Sequence, residues 1–190
     1  MRALILDGTV GEGSFDRSVG MLAAELLKGA GWEVDHLLLS EMSIAPCTGC
    51  FNCWIRTPGE CSQQDEAEKV VRAMAKASLW VYVTPVIFGG FSYQLKKGLD
   101  RLIPILLPEF KVFANETHHP LRYHEGFDVL GIGINEAEDA EWNATFKTLV
   151  KRNALNAHSK HNGAIVVERG RSFEEVRSSL SACLKEAGLS

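Results

Sequence analysis

Short apolar runs of strand character and stretches of helical periodicity take turns five times along this chain. Residues 2–7 form the first run, closed by Gly8, and Val19, Leu22, Ala23, Leu26, Leu27 and Ala30 repeat at helical spacing until Gly31. A second strand is predicted over 32–39. A helix follows from about residue 65, where Asp65 and Glu68 read as a cap and its return partner, with Val70, Val71, Met74 and Ala77 as its apolar face. Residues 79–84 are rich in β-formers, and Leu95, Leu99, Leu102, Ile103 and Leu106 mark a helix that Pro104 should kink or end. Strands over 129–134 and 164–167 alternate with helices over 142–155 and 173–187. Such alternation demands right-handed crossovers and a mainly parallel sheet with helices on both faces, so the class is α/β. The order that fits five such units is 2-1-3-4-5. No composition break or repeat divides residues 1–190, which read as one domain with a Cys-rich loop at 43–61 and an irregular insertion at 108–126.

Composition removes several other classes. At 190 residues with 46% hydrophobic content, the chain is not disordered, and Gly 17 with Pro 6 excludes collagen-like sequence. A net charge of −4 opposes nucleic-acid binding. The strongly apolar stretch 79–91 falls short of the roughly 18 residues a membrane span requires. Asp7, Glu12 and Asp16 break up the opening segment, so it does not read as a signal peptide, and the expected compartment is the cytoplasm, where thiols stay reduced. The sequons at Asn115 and Asn143 are chance matches in that setting. Cys183 reads as a small buried hydrophobe.

In open parallel sheets ligands bind beyond the carboxyl ends of strands where the order reverses, which directs attention to the loops beginning at Gly8, Thr84 and Asn135. The first loop offers Thr9, Gly11, Gly13 and Ser14, with Arg17 or Ser18 in reach. Small residues and a helix N-terminus suit a phosphate, whereas an ordinary strand–helix connection capped by Ser14 accounts for them equally well. An inward-facing Asp16 would repel a phosphate. Neither a Walker lysine nor Gly-x-Gly-x-x-Gly is present. The second loop brings Thr84, Pro85, Phe88, Gly89, Gly90 and Ser92, an apolar slot with a few polar fixers that suits a planar ring. Phe91 reads as core and Ser92 as a helix cap. Cys47, Cys50 and Cys53, spaced C-x2-C-x2-C, with Cys61 seven residues further on, suit an iron–sulfur cluster, a zinc ion, a redox thiol pair or a metal-free turn. His118, His119 and His124 read as a solvated loop that could also fold over the site. His158 and His161 lie at the opposite end of the sheet, and the acidic residues of 136–141 read as a solvated first helical turn. No Ser-His-Asp set, nucleophile elbow or carboxylate pair is found.

Three segments carry a family resemblance: residues 1–9, the cysteine segment 46–54 with Thr57-Pro-Gly-Glu-Cys61, and residues 84–101, which read TPVIFGGFSYQLKKGLDR. Together they resemble the NADPH-dependent FMN reductase and iron–sulfur flavoprotein branch of the flavodoxin-like proteins. That resemblance implies a flavodoxin-like, doubly wound, five-stranded parallel sheet with non-covalent FMN and NAD(P)H as co-substrate. It implies a homodimer or homotetramer whose partners are a nicotinamide and a small-molecule acceptor or redox protein, with no nucleic acid or membrane. By position, Thr9 and Ser14 with their loop would hold the phosphate, and Thr84, Pro85, Val86, Phe88, Gly89 and Gly90 would flank the isoalloxazine. In iron–sulfur members Cys47, Cys50, Cys53 and Cys61 would hold a [4Fe–4S] cluster. Where the family has Ser-x-Arg followed by Asn-Thr, this loop has Thr9-Val-Gly11 and then Phe15-Asp16. The expected activity is hydride transfer from nicotinamide to FMN and on to a second acceptor, with no dedicated acid–base residue. The alternatives are an electron carrier using FMN and a [4Fe–4S] cluster, and a non-catalytic module of the same fold.

Overall fold

Strand β1 (Arg2–Asp7) shows how this chain builds its core, because its side chains alternate between two apolar faces and none of the interior ones reaches water. Ala3 and Ile5 join one cluster, and Leu4 and Leu6 join the other. The structure, a computed structural model, describes residues 1–123 and 125–189. After β1 come α1 (Phe15–Gly29), β2 (Glu33–Leu38), α2 (Asn52–Ile55), α3 (Ala67–Lys76), β3 (Leu79–Ile87), β4 (Gly90–Phe91) and α4 (Tyr93–Leu99). They are followed by β5 (Lys111–Phe113), β6 (Glu116–His118), β7 (Asp128–Asn135), α5 (Ala140–Asn156), β8 (Asn162–Glu168) and α6 (Phe173–Glu186). The main sheet runs β2-β1-β3-β7-β8, all parallel, with β4 antiparallel on β3.

Helices cover both faces. Val19, Leu22, Ala23 and Leu27 of α1 pack with Val176, Leu180 and Leu184 of α6 against Ile5, Val81 and Ile132. On the opposite face α3, α4 and α5 contribute Val70, Met74, Leu95, Leu99, Phe146 and Val150 over Leu4, Leu6, Trp80 and Tyr82. Each fully buried Leu, Ile or Val contributes about 1.5–3 kcal/mol of transfer free energy. Ser14, Ser92, Asp139 and Ser172 each accept a backbone N–H at a helix N-terminus. Register in β1 aligns Asp7 with Leu38 on one side and Val83 on the other, so the loop after β1 leaves the sheet beside Val83 while β3 runs on to Ile87, past the expected strand end at residue 84.

Several expectations need correction. Helix α3 begins at Ala67 without a side-chain cap: the Asp65 carboxylate accepts the Ala67 N–H as a turn bond, and Glu68 pairs with Arg72. The insertion at 108–126 is not irregular throughout, since β5 and β6 form an antiparallel hairpin across Ala114 and Asn115, both at positive φ. The sheet also carries the additional short strand β4. Among the described residues no helix is long and apolar enough to cross a membrane.

Candidate functional site

The loop after β1 is held from beneath by a buried carboxylate. Asp7 is fully buried, accepts the Thr9 N–H at 2.9 Å, and places Oδ2 2.8 Å from His36 Nε2. Thr9 is also fully buried, and its hydroxyl finds no partner in the protein. A buried hydroxyl left unpaired costs about 1–3 kcal/mol; Ser40 Oγ is in the same state elsewhere, and what makes Thr9 a candidate is its place in the loop after β1. Gly11 and Gly13 take φ values of 86° and 70°, and nothing lies within 4 Å of the position a Gly13 Cβ would occupy. The loop is therefore a cradle of exposed glycines above a buried, unpartnered hydroxyl, and its small residues and backbone N–H groups are of the kind that can hold a phosphate. Ser14 is spent locally: its Oγ accepts the Arg17 N–H at 3.2 Å and lies 3.2 Å from the Val10 carbonyl. Asp16 does not face the cradle as a free anion. Its carboxylate accepts Nε and a terminal nitrogen of Arg169 at 2.7 and 2.6 Å.

The loop after β3 divides into residues that bind loops together and residues that stand open. Thr84 is fully buried; its Oγ1 accepts the Ser92 N–H at 2.9 Å and donates to the Pro85 carbonyl at 2.9 Å. Ser92 Oγ donates to the Gly8 carbonyl at 2.9 Å and accepts the Leu95 N–H at 3.3 Å. Both hydroxyls are consumed inside the protein, so Thr84 and Ser92 shape the site without turning a free polar group to a ligand. A Cβ on Gly89 would meet Thr145 Cβ at 2.7 Å, so this glycine lets the loop close on α5. One on Gly90 would lie 3.2 Å from the Ile87 carbonyl oxygen, a turn contact within the loop. Phe91 sits edge-on to Tyr82 and Phe146, in the core as expected. Phe88, by contrast, is 81% exposed at a φ of 49° and meets the Trp142 ring edge-on at 5.3 Å. Beside this pair a cavity of 410 Å³ opens between the carboxyl ends of β3 and β7, lined by Pro85, Val86, Ile87, Asn135, Trp142 and Arg169. Two of the three loops singled out in the sequence, those at Thr84 and Asn135, contribute to its lining, and the Gly8 loop does not. Trp142 and Arg169 were not foreseen as part of it.

The cysteines gather around a second cavity. Cys47, Cys50, Cys53 and Cys61 all line one space of 250 Å³, together with Phe51 and Ile103. Phe51, Gly49 and Gly59 at positive φ bend the loop around it. Hydrogen bonds from the Asn52 backbone, then from Ser62, hold the Cys50 thiol below its ordinary pKa. Burial, then the neighbouring Cys61 sulfur, pushes that of Cys53 up. Arg101, only 1% exposed, reaches into the loop: its guanidinium donates to Cys61 Sγ at 3.2 Å, Asp65 Oδ2 at 2.7 Å and the Ala45 carbonyl at 2.8 Å. Among the described residues no three His, Cys, Asp or Glu side chains converge as ligands of one metal ion. Four thiols distributed around a cavity suit a multi-atom cluster better than a single zinc ion.

Among the described residues no histidine lines the β3–β7 cavity. His118 is buried, not solvated, with Nδ1 2.9 Å from Asn156 Oδ1, and His119 stands between the rings of Trp54 and Phe110 at 4.9 and 4.7 Å. His124 lies outside the described residues.

With this geometry in place, comparison with known proteins defines the class. Over its whole length the chain superposes on the NAD(P)H:quinone oxidoreductase from Methanothermobacter marburgensis with a TM-score of 0.70 at 13% identity, covering 96% of that chain. It superposes on the FMN-dependent NADH-azoreductase from Bacillus anthracis, solved with FMN, with a TM-score of 0.65 at 14% identity, covering 98% of this chain and 96% of that one. The fold is therefore that of the flavodoxin-like α/β proteins. The model of the NADPH-dependent FMN reductases matches residues 1–125, and the chain belongs to that family. It is also similar to an iron–sulfur flavoprotein of Archaeoglobus fulgidus, 33% identical over 86 residues, 44% of this chain and 38% of that protein. An iron–sulfur flavoprotein of Methanocaldococcus jannaschii is 33% identical over 75 residues, 40% of this chain and 38% of that protein. The chain thus spans well under half the length of these curated relatives in the matched region.

Proposed function

We propose that this chain is an FMN-dependent oxidoreductase of one flavodoxin-like domain, its parallel strands in the order 2-1-3-4-5. It accepts reducing equivalents from NAD(P)H and passes them to a second acceptor. The observation that carries this reading is the unpartnered Thr9 hydroxyl in an open glycine cradle, set at the same sheet end as the β3–β7 cavity. Family membership and the FMN bound in the azoreductase neighbour support it.

Thr9, Gly11, Gly13 and the α1 N-terminus would hold the phosphate, and Pro85, Val86, Phe88 and the backbone of Gly89 and Gly90 would flank the ring. When bound, FMN supplies the hydride and electron chemistry, so the chain needs to bind, orient and exclude water. Exposed Phe88 against Trp142 gives an apolar wall on which a second planar ring can lie. Thr84 and Ser92 keep the two loops at fixed separation through the Gly8 carbonyl. Titration with FMN, followed by absorbance assays of NADH and NADPH oxidation, tests the reading. Failure to bind FMN would refute it.

A second reading adds a [4Fe–4S] cluster held by Cys47, Cys50, Cys53 and Cys61, making the chain an electron carrier. The four thiols around one cavity favour it, as do relatives named iron–sulfur flavoproteins. Anaerobic reconstitution with iron and sulfide decides between the two: about four irons per chain supports the cluster, and under about one excludes it. Five free cysteines among the described residues fit a reducing, cytoplasmic setting, and a homodimer or homotetramer is the expected assembly.

A further inference from the structure

Asp16 and Arg169 are 153 positions apart in sequence and form a two-pronged ion pair at the mouth of the proposed phosphate cradle. Asp16 is the second residue of α1 after its cap, where backbone N–H groups and the helix dipole favour an anion. Its own carboxylate, 6% exposed, occupies that field as a competing negative charge. Arg169 enters from the exit of β8, where its backbone N–H also donates to the Asn135 carbonyl at 2.7 Å, and its side chain lines the 410 Å³ cavity. Its remaining terminal nitrogen contacts Glu136, a side chain 78% exposed. Other charged groups lie nearby: Arg17 pairs with Glu41 at 2.8 Å, Glu12 is exposed, the buried Asp7 carboxylate lies under the loop 2.8 Å from His36 Nε2, and Glu138 and Asp139 line the same cavity as Arg169.

We infer that Arg169 is a positioning residue that neutralises Asp16, and that this neutralisation lets the cradle accept the phosphate of FMN. The inference rests on the FMN reading above and concerns only the phosphate end of that ligand. Without Arg169, a buried carboxylate would face the incoming dianion across a few ångströms of low-dielectric protein, where like charges repel far more strongly than in water. With Arg169 in place the buried Asp16 charge is balanced, and the second carboxylate on the same guanidinium, Glu136, is 78% exposed and screened by solvent. The bidentate fork also fixes the β8 exit against α1, so the charge cannot swing away. Substituting lysine would keep the charge but lose the fork.

The test compares FMN with riboflavin, which carries the same ring and ribityl chain without the phosphate. Fluorescence titrations use the full chain as wild type, Arg169→Gln, Asp16→Asn and the double variant, each checked by thermal melting. The expected affinity for FMN falls about tenfold or more in Arg169→Gln and returns to near wild type in the double variant. Riboflavin affinity should change less than about twofold throughout, because it carries no charge for Asp16 to repel. In Asp16→Asn, where Arg169 keeps only its contact with the exposed Glu136, FMN binding should tighten and become more salt-sensitive. Equal losses for FMN and riboflavin in Arg169→Gln would show a merely structural role and overturn the inference. So would unchanged FMN binding. If Arg169→Gln does not fold, equal FMN affinities for Asp16→Asn and wild type overturn it instead. A wild-type protein that binds riboflavin but not FMN defeats the phosphate assignment, whereas one that binds neither defeats the FMN reading itself.

Discussion

At the scale of single residues, two buried polar groups have different energetic meanings. The Thr9 hydroxyl is buried without a partner, so it destabilises the ligand-free protein. Thr9→Val keeps the shape and removes the orphan; it should raise the stability of the FMN-free protein by about 1 kcal/mol while weakening FMN binding about tenfold. Urea unfolding and FMN titration of the same variant measure both, and a loss of stability on Thr9→Val would contradict the account. Arg101 is a different case, a buried cation whose two terminal nitrogens are paired with Asp65, Cys61 and backbone carbonyls while its Nε has no partner. Arg101→Met leaves the Asp65 carboxylate, only 15% exposed, without its charge partner and should cost about 3–5 kcal/mol in urea unfolding. Burial alone would raise the Asp65 pKa, but hydrogen bonds from Arg101 and from the Ala45 and Ala67 backbone outweigh it and hold the carboxyl below its ordinary range. A depressed carboxylate stabilises the fold above its unfolded pKa, and that contribution is lost as pH falls through the folded value. Wild type should therefore lose more stability on acidification below about pH 4 than Asp65→Asn does. Neither role was legible in sequence. Asp65 read as a helix cap because only its local neighbours are visible along the chain, while its Arg101 partner arrives from the turn after α4.

Among the elements, the β5–β6 hairpin is where the sequence reading was least informed. Its strands are three residues each, too short for an alternating pattern, and its turn is Ala114-Asn115, not the Asn-Gly that usually announces such turns. The hairpin packs by rings: Phe113 stacks on His158 at 4.4 Å, and His118 stands edge-on to both. Burial first, then the charge of Lys111, pushes the His158 pKa down. The folded state then binds a proton less readily than the unfolded chain, so stability is full above about pH 6.5 and falls as pH drops through the unfolded value towards the folded one. His158 also has a φ of 51°, a conformation asparagine tolerates, so His158→Asn removes the titration with little backbone strain. The difference in urea midpoint between pH 7.5 and pH 5.5 (roughly one unit either side of an ordinary histidine pKa) should shrink in this variant. An unchanged difference would assign the pH response elsewhere.

For the whole molecule, the parallel sheet was legible because each central strand is apolar on both faces and each helix shows one apolar stripe. Residues 79–84 announce their burial in every side chain, and β3 does bury Leu79 to Thr84 completely or nearly so. The order of those strands is what directs the proposed site to the loops at their carboxyl ends. What joins its parts does not follow from that order, because Asp16 with Arg169, and Cys61 with Arg101, are contacts that only the closed fold creates. The four cysteines were conspicuous in sequence, and the structure adds that they share a single cavity. The central claim is that the loops after β1, β3 and β7 together form an FMN site. Titrating the purified chain with FMN, and following the quenching of flavin fluorescence, measures this most directly. The account predicts saturable binding at one FMN per chain (a stoichiometry of about 1, for the single cradle and cavity), with bleaching of the flavin band when reduced nicotinamide is added. Absence of saturable FMN binding would contradict it.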